Sequence, residues 1–434
     1  MSGLLIAAPS SGSGKTTFTL GLLRALRNRG MALSPGKAGP DYIDPAFHTA
    51  ASGKACLNYD PWGMRPDLLR ANAAAATGTG ETLIIEAMMG LYDAAIDGQG
   101  SPADLAALLG LNVVLVVDCG RMSQSVAALV RGYAGHRDDV HVAGVILNKV
   151  GSDRHEMMLR AALDAIGMPV FGVLRQNAAL KLPERHLGLV QAGEHAELDL
   201  FIETAAAHVE AGCDLDQIVM AARLGTSRDA AVDAEPLKPI GQRIAIASDT
   251  AFAFSYEHLL SGWRGAGAEL SFFSPLADQA PAANADAVYL PGGYPELHAG
   301  QLAEADRFRD GMVSARDRGA RIFGECGGYM TLGEGLVAAD GKRYAMLGFL
   351  PLVTSFAERK RHLGYRRVKP VDDSFFDGPL MAHEFHYASI LSEGDADRLF
   401  EATDAAGAAL GLTGLRRDRV AGSFMHVIDM AKAS

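Results

Sequence analysis

Leu4-Leu-Ile-Ala-Ala-Pro-Ser-Ser-Gly-Ser-Gly-Lys-Thr-Thr17 decides how the front half of this chain is read. The apolar run Leu4–Ala8 has the character of a short buried β-strand. From Lys15 to about Arg29 the apolar residues recur at helical spacing. The loop between them is rich in glycine and serine, so successive backbone N–H groups and a helix N-terminus can converge on an anion. Gly12, Ser13, Gly14, Lys15, Thr16 and Thr17 are therefore expected to hold nucleotide phosphates, with Lys15 on the terminal phosphates and the Thr16 hydroxyl on Mg²⁺. The first glycine of the usual phosphate-loop pattern is replaced by Pro9, a mild departure.

Further near-continuous apolar runs follow at Thr82–Glu86, Asn112–Asp118 and Val142–Asn148, and helical patterns follow them, for example Ser123–Tyr133 and Arg154–Ile166. Strands that alternate with helices and are apolar on both faces predict an α/β fold, a doubly wound, mostly parallel sheet. Ligands bind at the carboxyl ends of such strands. Glu86 closes one strand where a second Mg²⁺ ligand is wanted, Asp118 closes another as its competitor, and Asn148 closes a third, where nucleotide bases are often read; a solvated strand-end residue is the plain alternative for each. Lys37-Ala-Gly-Pro-Asp-Tyr-Ile-Asp-Pro45 sets Lys37, Asp41 and Asp44 in a proline-bounded loop, and Glu86-Ala-Met-Met-Gly-Leu-Tyr-Asp93 supplies a second acidic loop. Phosphoryl transfer needs a metal ion to bridge phosphates and a cation to steady developing charge, which these residues could supply. Two ordinary surface turns are the plain alternative.

Between Gly225 and Gly241 the chain turns polar and small, with Pro236 and Pro239 near its end. This stretch divides a first domain, residues 1–225, from a second, residues 241–434, through a linker at 226–240. The second domain restarts an α/β pattern with strands at Arg243–Ala247, Asp286–Leu290 and Arg321–Gly324, followed by a basic stretch at Arg359–Arg367. Arg321-Ile-Phe-Gly-Glu-Cys-Gly-Gly-Tyr329 reads as strand, sharp turn and helix, the thiol counterpart of a serine elbow. Cys326 is thus a candidate nucleophile, expected to be exposed at a helix N-terminus whose dipole favours thiolate. A buried structural cysteine is the alternative, and the flanking glycines speak against it. The preferred base is His426, with His383 and His386 as rivals; two histidines three apart without a third ligand motif are a poor metal site. Leu290-Pro-Gly-Gly-Tyr-Pro-Glu296 is placed to supply an oxyanion amide.

Length and composition agree with this division. A chain of 434 residues with 49% hydrophobic and 21% charged residues is globular and long enough for two or three domains. A net charge of −11 disfavours nonspecific nucleic-acid binding. Cys56, Cys119, Cys213 and Cys326 share no metal-type spacing, which fits a reducing compartment. No basic leader precedes the first strand, and no apolar run approaches the length of a membrane span, so a cytoplasmic protein without a membrane partner is expected.

The motifs GSGKTT, KAGPDYIDP, IEAMMGLYD, LPGGYPE, GECGGYM, HEFHY and GSFMH occur in one order along nearly the whole chain. Together they closely resemble the cobyrinate or hydrogenobyrinate a,c-diamide synthases of cobalamin biosynthesis. The resemblance implies a front domain similar to dethiobiotin synthetase, with ATP at Gly12–Thr17, Mg²⁺ at Thr16, Glu86 and Asp41, and Asp41, Asp44 and Asp93 at the synthetase site with Lys37. It implies a back domain similar to class I glutamine amidotransferases, with Cys326 and His426 as the catalytic pair. That class places a glutamate two residues after the histidine, where this chain has Ile428, so a dyad is expected unless Glu384 or another acid serves. The segment at 183–189 also looks like a family motif, although Glu184 stands where a small residue is expected. The implied partners are L-glutamine and hydrogenobyrinate or cobyrinate, with a homodimer allowed and no nucleic acid. The implied reaction is ATP-dependent amidation of the a and c carboxylates. The basic cluster Arg359–Arg367 is either a grip on other substrate carboxylates or a solvated face. The alternative is a related amidotransferase acting on another tetrapyrrole, such as nickel sirohydrochlorin or cobyric acid precursors. A partitioning-type ATPase leaves the cysteine elbow unexplained, and a bare glutaminase leaves GSGKTT unexplained.

Overall fold

The computed structural model describes residues 2–78, 80–180, 184–185, 188–189, 191–192, 197–224 and 234–432. The chain forms two compact units, Met1–Trp62 with Pro66–Ala234, and Gly63–Arg65 with Glu235–Ser434. Residues 226–233 of the expected linker lie outside the described residues, as do residues 183, 186 and 187 of the 183–189 segment.

In the first unit seven strands form a parallel sheet. They are β1 (Gly3–Ala7), β2 (Leu33–Ala38), β3 (Leu57–Tyr59), β4 (Thr82–Glu86), β5 (Asn112–Asp118), β6 (Val142–Val150) and β7 (Val170–Arg175), in the order β3-β2-β4-β1-β5-β6-β7. Leu4, Leu5, Ile6, Leu83, Ile85, Val114, Val116, Val145 and Ile146 are all buried. A parallel sheet covered on both faces needs such unbroken apolar strands, and that is why these were legible. β2 was not, because Pro35 and Gly36 interrupt it. Even so, it lies inside the sheet, with Pro35 opposite Ile84 and Lys37 opposite Glu86. Ile6 lies opposite Glu86 on the other side, so the phosphate loop that leaves β1 starts beside that carboxylate. Helix α1 (Lys15–Asn28) begins at the loop, and helix α2 (Asp44–Ser52) begins at Asp44-Pro45. An acid followed by proline favours a helix start, since proline's missing N–H is one the first turn leaves unpaired anyway.

The second unit is built on a ten-stranded sheet. Its first five strands are parallel: Glu269–Phe273, Arg243–Ala247, Ala287–Leu290, Arg321–Glu325 and Val420–Ser423. The remaining five are antiparallel: Ala409–Arg417, Asp397–Asp404, His362–Pro370, Leu380–His386 and Met425–Met430. Only Phe424 separates Val420–Ser423 from Met425–Met430, yet these strands hold the fifth and tenth places, so the sheet curls back on itself. The antiparallel half was not expected from the sequence, whose alternation there is polar and irregular. Within this unit the buried Asp429 accepts from the backbone N–H and Nε of Arg65, at 2.9 and 3.1 Å. Among the described residues no helix is long and apolar enough to cross a membrane.

Candidate functional site

The carboxyl ends of β1, β2 and β4 bring one charged cluster together. Lys37 Nζ lies 2.5 Å from Asp44 Oδ2 and 3.0 Å from Glu86 Oε1. The Thr16 hydroxyl donates to the same Glu86 Oε1 at 2.7 Å, and His48 Nε2 sits 2.7 Å from Oε2. Burial alone would raise the Glu86 carboxyl, but Lys37, His48 and Thr16 together hold it far below the usual range. Burial would likewise lower Lys37, and the carboxylates of Asp44, Glu86 and Asp41 override it and keep the ammonium charged. Asp44 is pushed up to about 6, by burial first and by Asp41 next, against the pull of Lys37. Asp41 Oδ1 accepts from the N–H groups of Ile43 and Asp44, which fixes the entry into α2. Thr16, Lys37, Asp41, Asp44 and Glu86 line a cavity of about 310 Å³ with Lys15 and the loop residues Ser11 and Gly12. Lys15 Nζ donates to the Met89 carbonyl at 2.6 Å, and burial lowers its pKa. Asp93 is exposed and accepts from the Gly90 N–H at 2.8 Å, so it shapes the turn that carries Met89 and does not line the cavity.

At the ends of β5 and β6 the groups serve the loop itself. Asn148 Nδ2 donates to the Ser13 carbonyl at 2.9 Å, so the side chain expected to read a base also braces the phosphate loop. Asp118 pairs with Lys149 at 2.7 Å, and Lys149 reaches the Gly12 carbonyl at 3.2 Å. Asp118 is thereby committed to Lys149, while Glu86 is the acid that meets Thr16. Gly14, Thr17, Asn148, Asn177 and His208 line a second cavity of about 490 Å³ beside the loop.

In the second unit Cys326 sits at the strand-to-helix turn with φ 47°, a left-handed conformation that costs a non-glycine residue energy and marks a held elbow. The turn closes because Gly328 has no side chain: a Cβ there would lie 1.9 Å from the Leu290 carbonyl oxygen. Gly292 locates the partners. A Cβ at Gly292 would meet His426 Cε1 at 2.4 Å, His426 Nε2 at 3.2 Å and Cys326 Cβ at 3.3 Å, so nucleophile and imidazole converge on one point. The Gly293 amide nitrogen would lie 3.0 Å from a Cβ on Gly327, which puts it next to the residue that follows the nucleophile.

One expectation needs correction here, and one exception left open falls away. Cys326 is buried, and burial pushes its thiol up, with the carboxylates of Glu296, Glu325 and Glu384 adding to the effect. These outweigh the dipole of a helix that spans only Gly327–Leu332, so the resting group is a thiol, not an exposed thiolate. Burial and then His383 and His386 hold His426 well below the usual histidine range, so its ring rests neutral. Nor is Glu384 its partner: Glu384 binds Arg366 at 2.7 Å and His386 at 3.1 Å. The rival His386 is committed through both ring nitrogens, Nδ1 to the Ala388 carbonyl and Nε2 to Glu384. His362, Glu384 and His386 could be read as a metal cluster, but the ion pair to Arg366 occupies the carboxylate. The basic stretch divides along its strand. Arg366 and Arg367 are bonded inside the unit, while Arg359, Lys360 and Arg361 are exposed. Sequence reasoning missed His48 and Glu325, whose contacts with Glu86 and His426 arise only from tertiary packing.

A parallel-sheet unit with a phosphate loop, joined to a unit with a cysteine elbow, defines an amidating enzyme that pairs a nucleotide-binding domain with a glutamine amidotransferase domain. Two family models match accordingly: the CobQ/CobB/MinD/ParA nucleotide binding domain over residues 4–190, and the CobB/CobQ-like glutamine amidotransferase domain over residues 243–433. The chain is 74% identical over 434 residues to a hydrogenobyrinate a,c-diamide synthase of Sinorhizobium sp, with all of both chains covered. It is 72% identical to one of Rhizobium meliloti (strain 1021), again over the full length of both. It is 50% identical to one of Rhodobacter capsulatus, over 98% of each chain. The chain belongs to the hydrogenobyrinate a,c-diamide synthase family, which acts in cobalamin biosynthesis.

Proposed function

We propose that this enzyme uses ATP and glutamine to convert the a and c carboxylates of hydrogenobyrinate into amides. The observation that carries the reading is the first cavity, where Lys15 and Lys37 face Thr16, Asp41, Asp44 and Glu86 beside a loop built for phosphate. Two cations with a set of hard oxygen donors fit a nucleotide polyphosphate and Mg²⁺. Thr16, Glu86 and Asp41 would hold Mg²⁺, which neutralises phosphate charge when bound. The neighbouring 490 Å³ cavity at Asn148 fits the nucleotide base. Lys37, kept charged by its carboxylates, is placed to steady charge as the phosphoryl group passes to the substrate carboxylate. His48 fixes Glu86 from the far side. The acyl phosphate formed has a good leaving group, and ammonia displaces phosphate from it.

Ammonia comes from the second unit. The Cys326 sulfur attacks the side-chain amide carbon of glutamine as its proton moves to His426. The Gly293 and Gly327 amides are placed to meet the developing oxyanion. His426 returns the proton to the departing ammonia, and water then cleaves the glutamyl thioester to release glutamate. The names of the full-length relatives favour the cobalt-free macrocycle over cobyrinate. We place the reaction in the cytoplasm.

The test is mass analysis of product from purified enzyme with ATP, Mg²⁺, glutamine and hydrogenobyrinate or cobyrinate, beside Cys326→Ser. Two amides added by the wild type, lost in the variant with glutamine and restored by free ammonia, support both halves of the reading. Glutaminase activity without product from either macrocycle overturns the substrate and turns attention to another carboxylated tetrapyrrole.

A further inference from the structure

We propose that Glu325, the residue immediately before the nucleophile, is the carboxylate that positions His426 for glutamine hydrolysis. This rests on the reading of Cys326 and His426 as the glutaminase pair. The place where class I enzymes carry their acid is Ile428, and Glu384 is tied to Arg366 and His386. Glu325 ends the Arg321–Glu325 strand with its side chain buried, and its Oε2 lies 3.8 Å from His426 Nδ1. The same carboxylate is held at both oxygens. Oε1 accepts from the Val427 N–H at 3.1 Å, the residue next to the base, and Oε2 accepts from the Tyr289 hydroxyl at 2.7 Å.

The ring has two distinct sides. Nδ1 faces Glu325, while Nε2 faces the point at Gly292 that Cys326 also approaches. A carboxylate on one nitrogen and the nucleophile near the other is the arrangement by which an acid selects the tautomer of a catalytic histidine and steadies its cation. A separation of 3.8 Å is an ion-pair contact, longer than a hydrogen bond. Such contacts are commonly loose before substrate binds and tighten as charge develops. Burial pushes Glu325 up to about 8, opposed by Tyr289 and Val427, so the ionised form that this role requires grows in as pH rises. His383 and His386 also face His426 and oppose its charge, and Glu384 favours it. The pH effect of Glu325 is therefore read as the difference between wild type and variant.

The experiment is steady-state glutamine hydrolysis by the full chain, from pH 6 to about 9, with Glu325→Gln, Glu325→Asp, Tyr289→Phe and Cys326→Ser. Removing the acid of a Ser-His-Asp set lowers kcat by about 10⁴-fold. The looser contact here is expected to give a loss on the order of 10²-fold or more in kcat for Glu325→Gln, with KM little changed. The rise of wild-type kcat toward about pH 8 should flatten in that variant. Glu325→Asp should recover part of the loss, and Tyr289→Phe should fall between wild type and Glu325→Gln. Glu325→Gln or Tyr289→Phe with wild-type kcat and pH profile, while Cys326→Ser is inactive, overturns the proposal and leaves the glutaminase reading standing. Glutaminase activity surviving in Cys326→Ser overturns that reading instead.

Discussion

Replacing Gly292 with alanine should disable glutamine use and spare ammonia use. The added methyl would sit 2.4 Å from His426 Cε1. Ordinary contact begins at about 3.4 Å, so the imidazole must withdraw by about 1 Å or the loop must shift by as much. The loop resists, because the Gly292 carbonyl is bonded to the Phe254 N–H at 2.9 Å and the following turn packs against the elbow. The ring resists less, since its Nδ1 contact is an ion-pair distance and not a hydrogen bond. A misplacement of about 1 Å in a catalytic group costs on the order of 10²-fold in rate. The expected result is a fall of that size in glutaminase kcat, with ammonia-supported amidation within about threefold of wild type. The assay is paired: glutamate release from glutamine, and amide formation from ammonium chloride, on one preparation. Gly292→Ala that hydrolyses glutamine at the wild-type rate would refute the convergence of Cys326 and His426 at this point.

Two further perturbations probe the first unit. Lys37→Met leaves Asp44 and Glu86 buried without their cation, which should cost about 3–5 kcal/mol in urea unfolding of that unit; a change below about 1 kcal/mol would show that the cluster does not depend on Lys37. Glu86 has a folded pKa far below its unfolded value, so its stabilisation is present above about 4.3 and is lost as pH falls through the folded value. Glu86→Gln should therefore be less stable than wild type near pH 7, the gap narrowing as the pH drops below about 4; a melting-temperature gap that stays constant with pH contradicts the depressed pKa.

How much of this was legible depends on whether a feature is local in sequence. The phosphate loop and the cysteine elbow are each one turn between a strand and a helix, so a contiguous stretch carries their whole geometry. The parallel strands were legible because burial on both faces leaves no polar position. β2 escaped notice because its run is broken by Pro35-Gly36, and its pairing with β4 outweighs local propensity. His48 was silent for a related reason: it reaches Glu86 only because α2 packs beside β2 and β4, and a lone histidine carries no pattern. The thiolate expectation failed differently. The helix dipole is a local inference, whereas the burial of Cys326 and the approach of Glu296 and Glu384, which join its neighbour Glu325, come from segments that only folding assembles. The same assembly supplies the remedy. The curl that sets Met425–Met430 five places from Val420–Ser423 brings His426 over the elbow and closes Glu325 against it. On the proposed reading, activation in this unit lies in a neutral imidazole beside a protonated thiol, and the acid assigned to that imidazole sits one residue from Cys326, inside the motif itself.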